Sequence, residues 1–192
     1  MSLRKTWSAI CSAIALCIVF PATAAAETSA AKGDVEETPT VDDLGFLLGD
    51  WSVERIYQPG TENERIAAGD LGCKKALSQQ FVRCAFYFER PEQPPIHDVV
   101  FFNYNEIYGV YESLWLSATW PIKVLMRAEP AAPGASLRWE ADFLIEDGVR
   151  EWVRSEWRLG EDGAFTRRVE IRTSNDPAGD WLHWMDERAV RK

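Results

Sequence analysis

Asp43-Leu44-Gly45-Phe46-Leu47-Leu48-Gly49-Asp50-Trp51 divides this chain into two unlike parts. Thr40 stands where a helix N-cap belongs, Asp42 and Asp43 occupy a first turn, and Leu44, Phe46, Leu47 and Leu48 follow closely. Side chains of this kind, halted by a glycine, predict a short helical turn from about Val41 to Leu48 that stops at Gly49. Beyond Gly49 the helical period disappears. Apolar, β-rich runs then alternate with Gly, Pro, Asn and Asp punctuation to the end of the chain.

Ten strands are predicted, over 50–57, 65–76, 80–89, 96–104, 107–118, 122–129, 135–145, 149–158, 164–173 and 181–190. The connections between them are short and rich in turn residues, which forces successive strands to be antiparallel neighbours. An open sheet of this length would leave two exposed edges, so the expected architecture is all-β, an antiparallel up-and-down β-barrel with a short N-terminal helical turn. Period two is clearest in the seventh strand, where Leu137, Trp139, Ala141, Phe143 and Ile145 oppose Arg138, Glu140 and Asp142. The ninth strand repeats it with Phe165, Val169 and Ile171. Other strands, such as Phe81 to Phe88, are apolar on both faces, which suits either a partly polar interior or a covered exterior.

Upstream of the helical turn, Arg4 and Lys5 precede an apolar run from Ala9 to Phe20, followed by Pro21 and the small residues Thr23-Ala24-Ala25-Ala26. This pattern predicts a signal peptide over 1–26, cleaved after Ala26, because the apolar run is too short to span a bilayer. Residues 27–40 carry too little apolar surface to offset ordering entropy and read as a disordered acidic tether, leaving 41–192 as the barrel. The expected product is exported, periplasmic or secreted, without stable membrane insertion. Its 19 basic against 30 acidic side chains, once Arg4 and Lys5 are removed, argue against nucleic acid as a partner.

Cys73 and Cys84 lie symmetrically about a turn at Leu77-Ser78-Gln79-Gln80. In the expected hairpin register they face each other, so a disulfide is geometrically possible; the alternative is two buried thiols, and export favours the bridge.

Gly49-Asp50-Trp51 at the head of the first strand resembles the Gly-x-Trp signature of lipocalin-like (calycin) barrels. That resemblance implies that Gly49 and Trp51 close the barrel base and that an Arg of the last strand packs over the indole, with Arg188 the best-placed candidate. From Asp42 to Arg191 the chain is similar to bacterial exported lipocalin-like proteins of unknown function. The likeness rests on the Leu-Leu-Gly-Asp-Trp run at 47–51, the aromatic strand Tyr111-Glu112-Ser113-Leu114-Trp115, and the loop and strand from Ser174 to Arg188. More distantly, Leu44-x-x-Leu47-x-Gly49-x-Trp51 resembles nitrobindin, a barrel that binds haem through a histidine near its last strand. That likeness implies a role for His183, read as sharing a strand face with Met185 and Glu187; the other reading is an imidazole hydrogen-bonded within a packed strand.

No catalytic pattern emerges. His97 and His183 are the only histidines, too few for a tetrahedral metal site, and no serine sits in a nucleophile elbow. Acidic pairs such as Glu112 with Glu140 or Glu151 with Glu156 are as well explained by exposed ion pairing with arginines. The aromatic series Tyr108, Tyr111, Trp115, Trp120, Trp139, Trp152 and Trp157 supports two readings: a lined pocket for one small ligand, or rings that fill the barrel. Under the first, Tyr111, Trp115, Trp139, Arg154 and His183 are the candidate ligand-binding residues, with Arg154 able to meet an acidic head group. The expected function is therefore a non-enzymatic, cofactor-free barrel that binds a small apolar or amphipathic molecule. The alternatives are a protein-interaction or envelope-maintenance module with a filled barrel, and haem binding through His183.

Overall fold

The computed structural model describes residues 38–90, 93–119, 123–131, 136–145, 148–173 and 179–192; the expected signal peptide and nearly all of the expected tether lie outside them. Within them the chain forms one 3₁₀ helix, Val41–Leu47, followed by β1 (Gly49–Tyr57), β2 (Arg65–Ala76), β3 (Phe81–Phe88), β4 (Ile96–Asn105) and β5 (Val110–Ser117). The second half contains β6 (Lys123–Ala128), β7 (Leu137–Leu144), β8 (Arg150–Leu159), β9 (Phe165–Thr173) and β10 (Leu182–Arg191). Each strand pairs antiparallel with the next, and β1 pairs with β10, so the sheet closes into an up-and-down barrel as the turn spacing predicts. Among the described residues no helix is long and apolar enough to cross a membrane.

The helix begins where Thr40 was expected to cap it. The Thr40 hydroxyl accepts from the Asp42 N–H at 3.2 Å, and the Asp43 carboxylate accepts from the Thr40 N–H at 2.7 Å, a reciprocal capping box. Leu44 and Leu47 are fully buried, and the helix lies against β3 and β4, covering one end of the barrel.

One strand boundary departs from expectation. Ile107 and Tyr108 have strand-forming side chains, yet they lie in the turn between β4 and β5, both exposed. The Asn105 side-chain oxygen accepts from the Ile107 N–H at 3.1 Å, an Asx turn, and Gly109 takes φ +67°, a geometry that outweighs local β propensity.

The β2–β3 hairpin turns through Leu77, Ser78 and Gln79, all with positive φ, and sets Cys73 directly opposite Cys84. The two sulfurs are bonded, and both side chains are buried on the interior face. The bridge closes a short loop, sequence separation 11, so replacing both cysteines with Ala is expected to lower stability by about 2–3 kcal/mol. In urea unfolding, reductant should lower the midpoint of the native protein and leave that of the double variant unchanged.

β2 also passes close to its neighbour. A Cβ at Gly69 would sit 2.3 Å from the Tyr87 carbonyl oxygen and 2.4 Å from the Phe88 ring, so only glycine fits at this point of the ladder.

Candidate functional site

The barrel interior has two unlike halves. Beneath the helix it is packed solid with rings. Trp51 meets Phe165 edge-on at 5.0 Å, Phe165 stacks on Trp157 at 5.5 Å, and Phe102 joins Trp157 and Trp139 at 5.4 and 5.3 Å. Tyr111 continues the cluster toward Trp139, and its hydroxyl donates to Asp43 in the helix at 2.7 Å. Burial, and then that hydrogen bond, push the Tyr111 hydroxyl above its ordinary pKa, which keeps it a donor. Tyr111 and Trp139 are thus structural rings of the closed half and are not among the residues that line the cavity of the other half.

Trp51 closes this end as its motif implies. Its indole N–H donates to the Leu47 carbonyl at 2.9 Å. The cation over the ring is Arg191, at 4.4 Å, and not Arg188. Register explains the correction: Trp51 pairs with Arg191 across the β1–β10 seam, whereas Arg188 pairs with Glu54, a solvent-facing position. Arg188 accordingly points outward and donates to Asp162 at 2.7 Å. Gly49 has φ +124°, and a Cβ there would meet the Arg191 guanidinium at 2.8 Å, so the glycine of the motif makes room for the cation.

Beyond the midline the barrel holds an open-mouthed cavity of about 480 Å³ at the end opposite the helix. Its walls are apolar, from Ile96, Trp115, Val124, Phe143, Val153 and Ile171, with Ser117, Thr119 and Glu151 among the lining residues at the strand ends. Desolvation raises the Glu151 carboxyl above its ordinary pKa. Trp115 is the one residue of the predicted ligand-binding set that lines this space.

The cavity's inner end carries charge. Arg55, Asp98 and Arg167 reach it from β1, β4 and β9, together with Tyr57. Behind them Glu187, fully buried, takes one guanidinium on each oxygen: Arg55 Nε at 2.5 Å and Arg167 Nη1 at 3.2 Å. Burial opposes ionisation of Glu187, but the two guanidiniums outweigh it and hold the carboxyl below the usual range. Burial likewise works against the Arg55 charge, and the coulombic pull of Glu187, with help from Tyr57 and Asp98, raises its pKa instead. Arg55 also lies 4.0 Å over the Phe88 ring and donates to the Tyr57 hydroxyl at 3.0 Å. Arg167 donates to Ser155 Oγ at 2.9 Å, which the Trp157 indole N–H also reaches at 2.9 Å, so the charge cluster is keyed to the ring-packed half.

Asp98 differs from its neighbours. It is 4% exposed, its Oδ2 approaches Arg55 Nη1 only to 3.8 Å, and its Oδ1, itself buried, has no hydrogen-bond partner among the described residues.

The remaining candidates lie outside. Arg154 and Trp152 share the outward face of β8. Arg154 pairs with Glu170 and stacks over Trp181, while Arg172 stacks over Trp152. His183 was expected to share a face with Met185 and Glu187, but the β9–β10 ladder slips between His183 and Met185. That bulge places an extra residue in β10, so Trp184 and Met185 both line the cavity while His183 sits opposite outward-facing Glu170. Its Nε2 lies 2.7 Å from Asp186, an exterior contact, and His183 is not among the cavity residues. Trp120 falls outside the described residues. Among the described residues no group of three or more His, Cys, Asp or Glu is placed to hold a metal.

Arg55, Asp98, Arg167 and Glu187 were not singled out from the sequence. The available signal was parity: Trp51, Val53 and Arg55 share a face, as do Phe165, Arg167 and Val169, so a charge recurs at a core position in two strands.

No protein-family model and no curated protein sequence matches this chain. Among solved structures, the crystal structure of Rv2717c from M. tuberculosis is similar, with a TM-score of 0.60 and 11% sequence identity over 79% of this chain and 96% of that one. At that identity the likeness is one of fold.

Proposed function

We propose that this chain is an exported barrel protein that binds one small amphipathic molecule in the half of its interior distal to the helix. The observation that carries the reading is the contrast between the halves: rings fill one, while the other keeps an apolar-walled space ending on fixed charges. Burying two arginines and two carboxylates is costly, and a barrel that needed only to be filled would be served as well by apolar side chains. Export is supported by the Cys73–Cys84 bridge together with the leader-like first 26 residues.

The test is uptake of an environment-sensitive naphthylamine fluorophore by the purified protein, repeated with Ile171→Trp, which places a larger side chain on a half-buried cavity wall. Saturable binding that weakens at least about tenfold in the variant is expected, the loss of most of the apolar contact. Absence of uptake, or uptake indifferent to the filled wall, would sink the proposal.

A further inference from the structure

We infer that the molecule held in this cavity is an amphipathic organic cation, an ammonium head on an apolar body, with the head at the mouth against Glu151. The inference rests on the binding role proposed above and names the chemistry of the molecule bound.

The inner end of the cavity offers little to a charged head. Glu187 takes Arg55 on one oxygen and Arg167 on the other, and the same two guanidiniums also donate to Tyr57 and Ser155. The partnerless oxygen of Asp98 is itself buried, so it meets nothing that enters.

Glu151 is placed differently. Glu151, Val153, Ser155 and Trp157 alternate onto the inner face of β8, which sets Glu151 at the end of the strand where the cavity opens. It is half-buried and lines the cavity, yet among the described residues no hydrogen bond or cation reaches its carboxylate. The segments 91–92, 120–122, 132–135, 146–147 and 174–178 contain no lysine or arginine that could supply one. The charged side chains that line the cavity are Arg55, Asp98, Glu151 and Arg167, and with Glu187 behind them two cations stand against three carboxylates. The other four are engaged with one another, so the uncompensated charge is the one at the mouth.

That charge selects among head groups. An anionic head would face Glu151 with no free cation in the cavity lining to answer it, and an uncharged head would leave the carboxylate as it is. Desolvation works against the Glu151 charge, and an ammonium group beside it would offset that cost. The surroundings suit the same group. Phe143 stands directly opposite Glu151 in the β7–β8 ladder, and Trp115 and Trp184 line the same space, so aromatic faces accompany the carboxylate. Ser117 and Thr119, also in the lining, add hydroxyl oxygens that accept from an ammonium group. The apolar body then runs inward along Val124, Val153 and Ile171.

The experiment displaces a bound, uncharged naphthylamine fluorophore from the full protein at neutral pH with three probes of equal chain length: octylammonium, 1-octanol and octanoate. Octylammonium is expected to bind about tenfold more tightly than octanol, about the effect of one charge-assisted hydrogen bond, and octanoate should bind least well. Glu151→Gln keeps the shape and removes the charge, so octylammonium should weaken about tenfold and lose its lead over octanol. Glu151→Lys should reverse the order and bring octanoate to the front. Octanol or octanoate binding best to the native protein would overturn the inference while leaving the cavity as a binding site. So would a folded Glu151→Gln variant, judged by near-ultraviolet dichroism, that keeps the octylammonium preference. Failure of the fluorophore itself to bind would bring down the underlying binding role, and this inference with it. The native order alone decides the matter if neither variant folds.

Discussion

Glu187→Gln should destabilise the barrel by about 3–5 kcal/mol at neutral pH, a large share of the stability of a domain this size. The substitution keeps the shape of the side chain but strips Arg55 and Arg167 of the carboxylate they share at 2.5 and 3.2 Å. Both guanidiniums then keep only neutral partners at hydrogen-bond distance, Tyr57 and Ser155, with the Asp98 carboxylate 3.8 Å from Arg55. The effect depends on pH in a definite direction. Because the folded protein holds the Glu187 carboxyl below its unfolded value of about 4.3, the stabilisation is complete above that pH and is lost as pH falls through the lower folded value. Urea midpoints of the native and variant proteins should therefore lie far apart at pH 7 and converge in acid. A gap that stayed constant with pH would show that the carboxylate is not what holds the cluster. Replacing Arg55, Asp98, Arg167 and Glu187 together with apolar residues of similar volume should restore most of the lost stability, since such a cluster contributes little net free energy.

Trp51→Ala should cost about 3–5 kcal/mol, the usual range for emptying a fully buried large aromatic site. The indole is fixed by contacts of three kinds: the ring of Phe165, the Leu47 carbonyl and the Arg191 guanidinium. Its loss should loosen the helix as well as the barrel end, so amide exchange in Leu44 to Leu48 should accelerate more than exchange in β6 and β7. The companion arginines separate cleanly. Arg191→Ala should cost about 0.5–1 kcal/mol, the worth of a cation over an aromatic face near the surface. Arg188→Ala, which removes an exposed pair with Asp162, should leave the thermal midpoint nearly unchanged. The reverse ranking would contradict the register assigned between β1 and β10.

The halves of the interior reconcile the two readings of the aromatic residues. Tyr111, Trp139 and Trp157 fill the barrel, while Trp115 lines the space beyond the midline. Strand alternation distinguishes inside from outside, and it cannot say how far along the axis an inward ring lies. Tyr111 and Trp115 stand on the same face of one strand, yet one is packed under the helix and the other in the cavity wall.

His183 shows a second limit. Alternation carried back from Glu187 through Met185 points His183 inward, and a one-residue bulge reverses it. A bulge is a product of how two ladders accommodate each other, with no marker in the strand itself. The assignment of Arg188 over Trp51 failed for a related reason: choosing among the basic residues of the last strand requires the register across the barrel seam, and that seam joins residues far apart in the chain, Trp51 with Arg191 and Tyr57 with Met185 among them.

From sequence alone came the strand count, the antiparallel meander, the capped turn before Gly49, and the hairpin that brings Cys73 to Cys84. These follow from contacts between chain neighbours, where turn chemistry and period-two patterning act directly. Tertiary structure decided which half of the barrel is filled, which arginine covers Trp51, and that Arg55, Asp98, Arg167 and Glu187 meet at one point. Those residues come from four strands scattered across the chain, and they are brought together only when the sheet closes on itself.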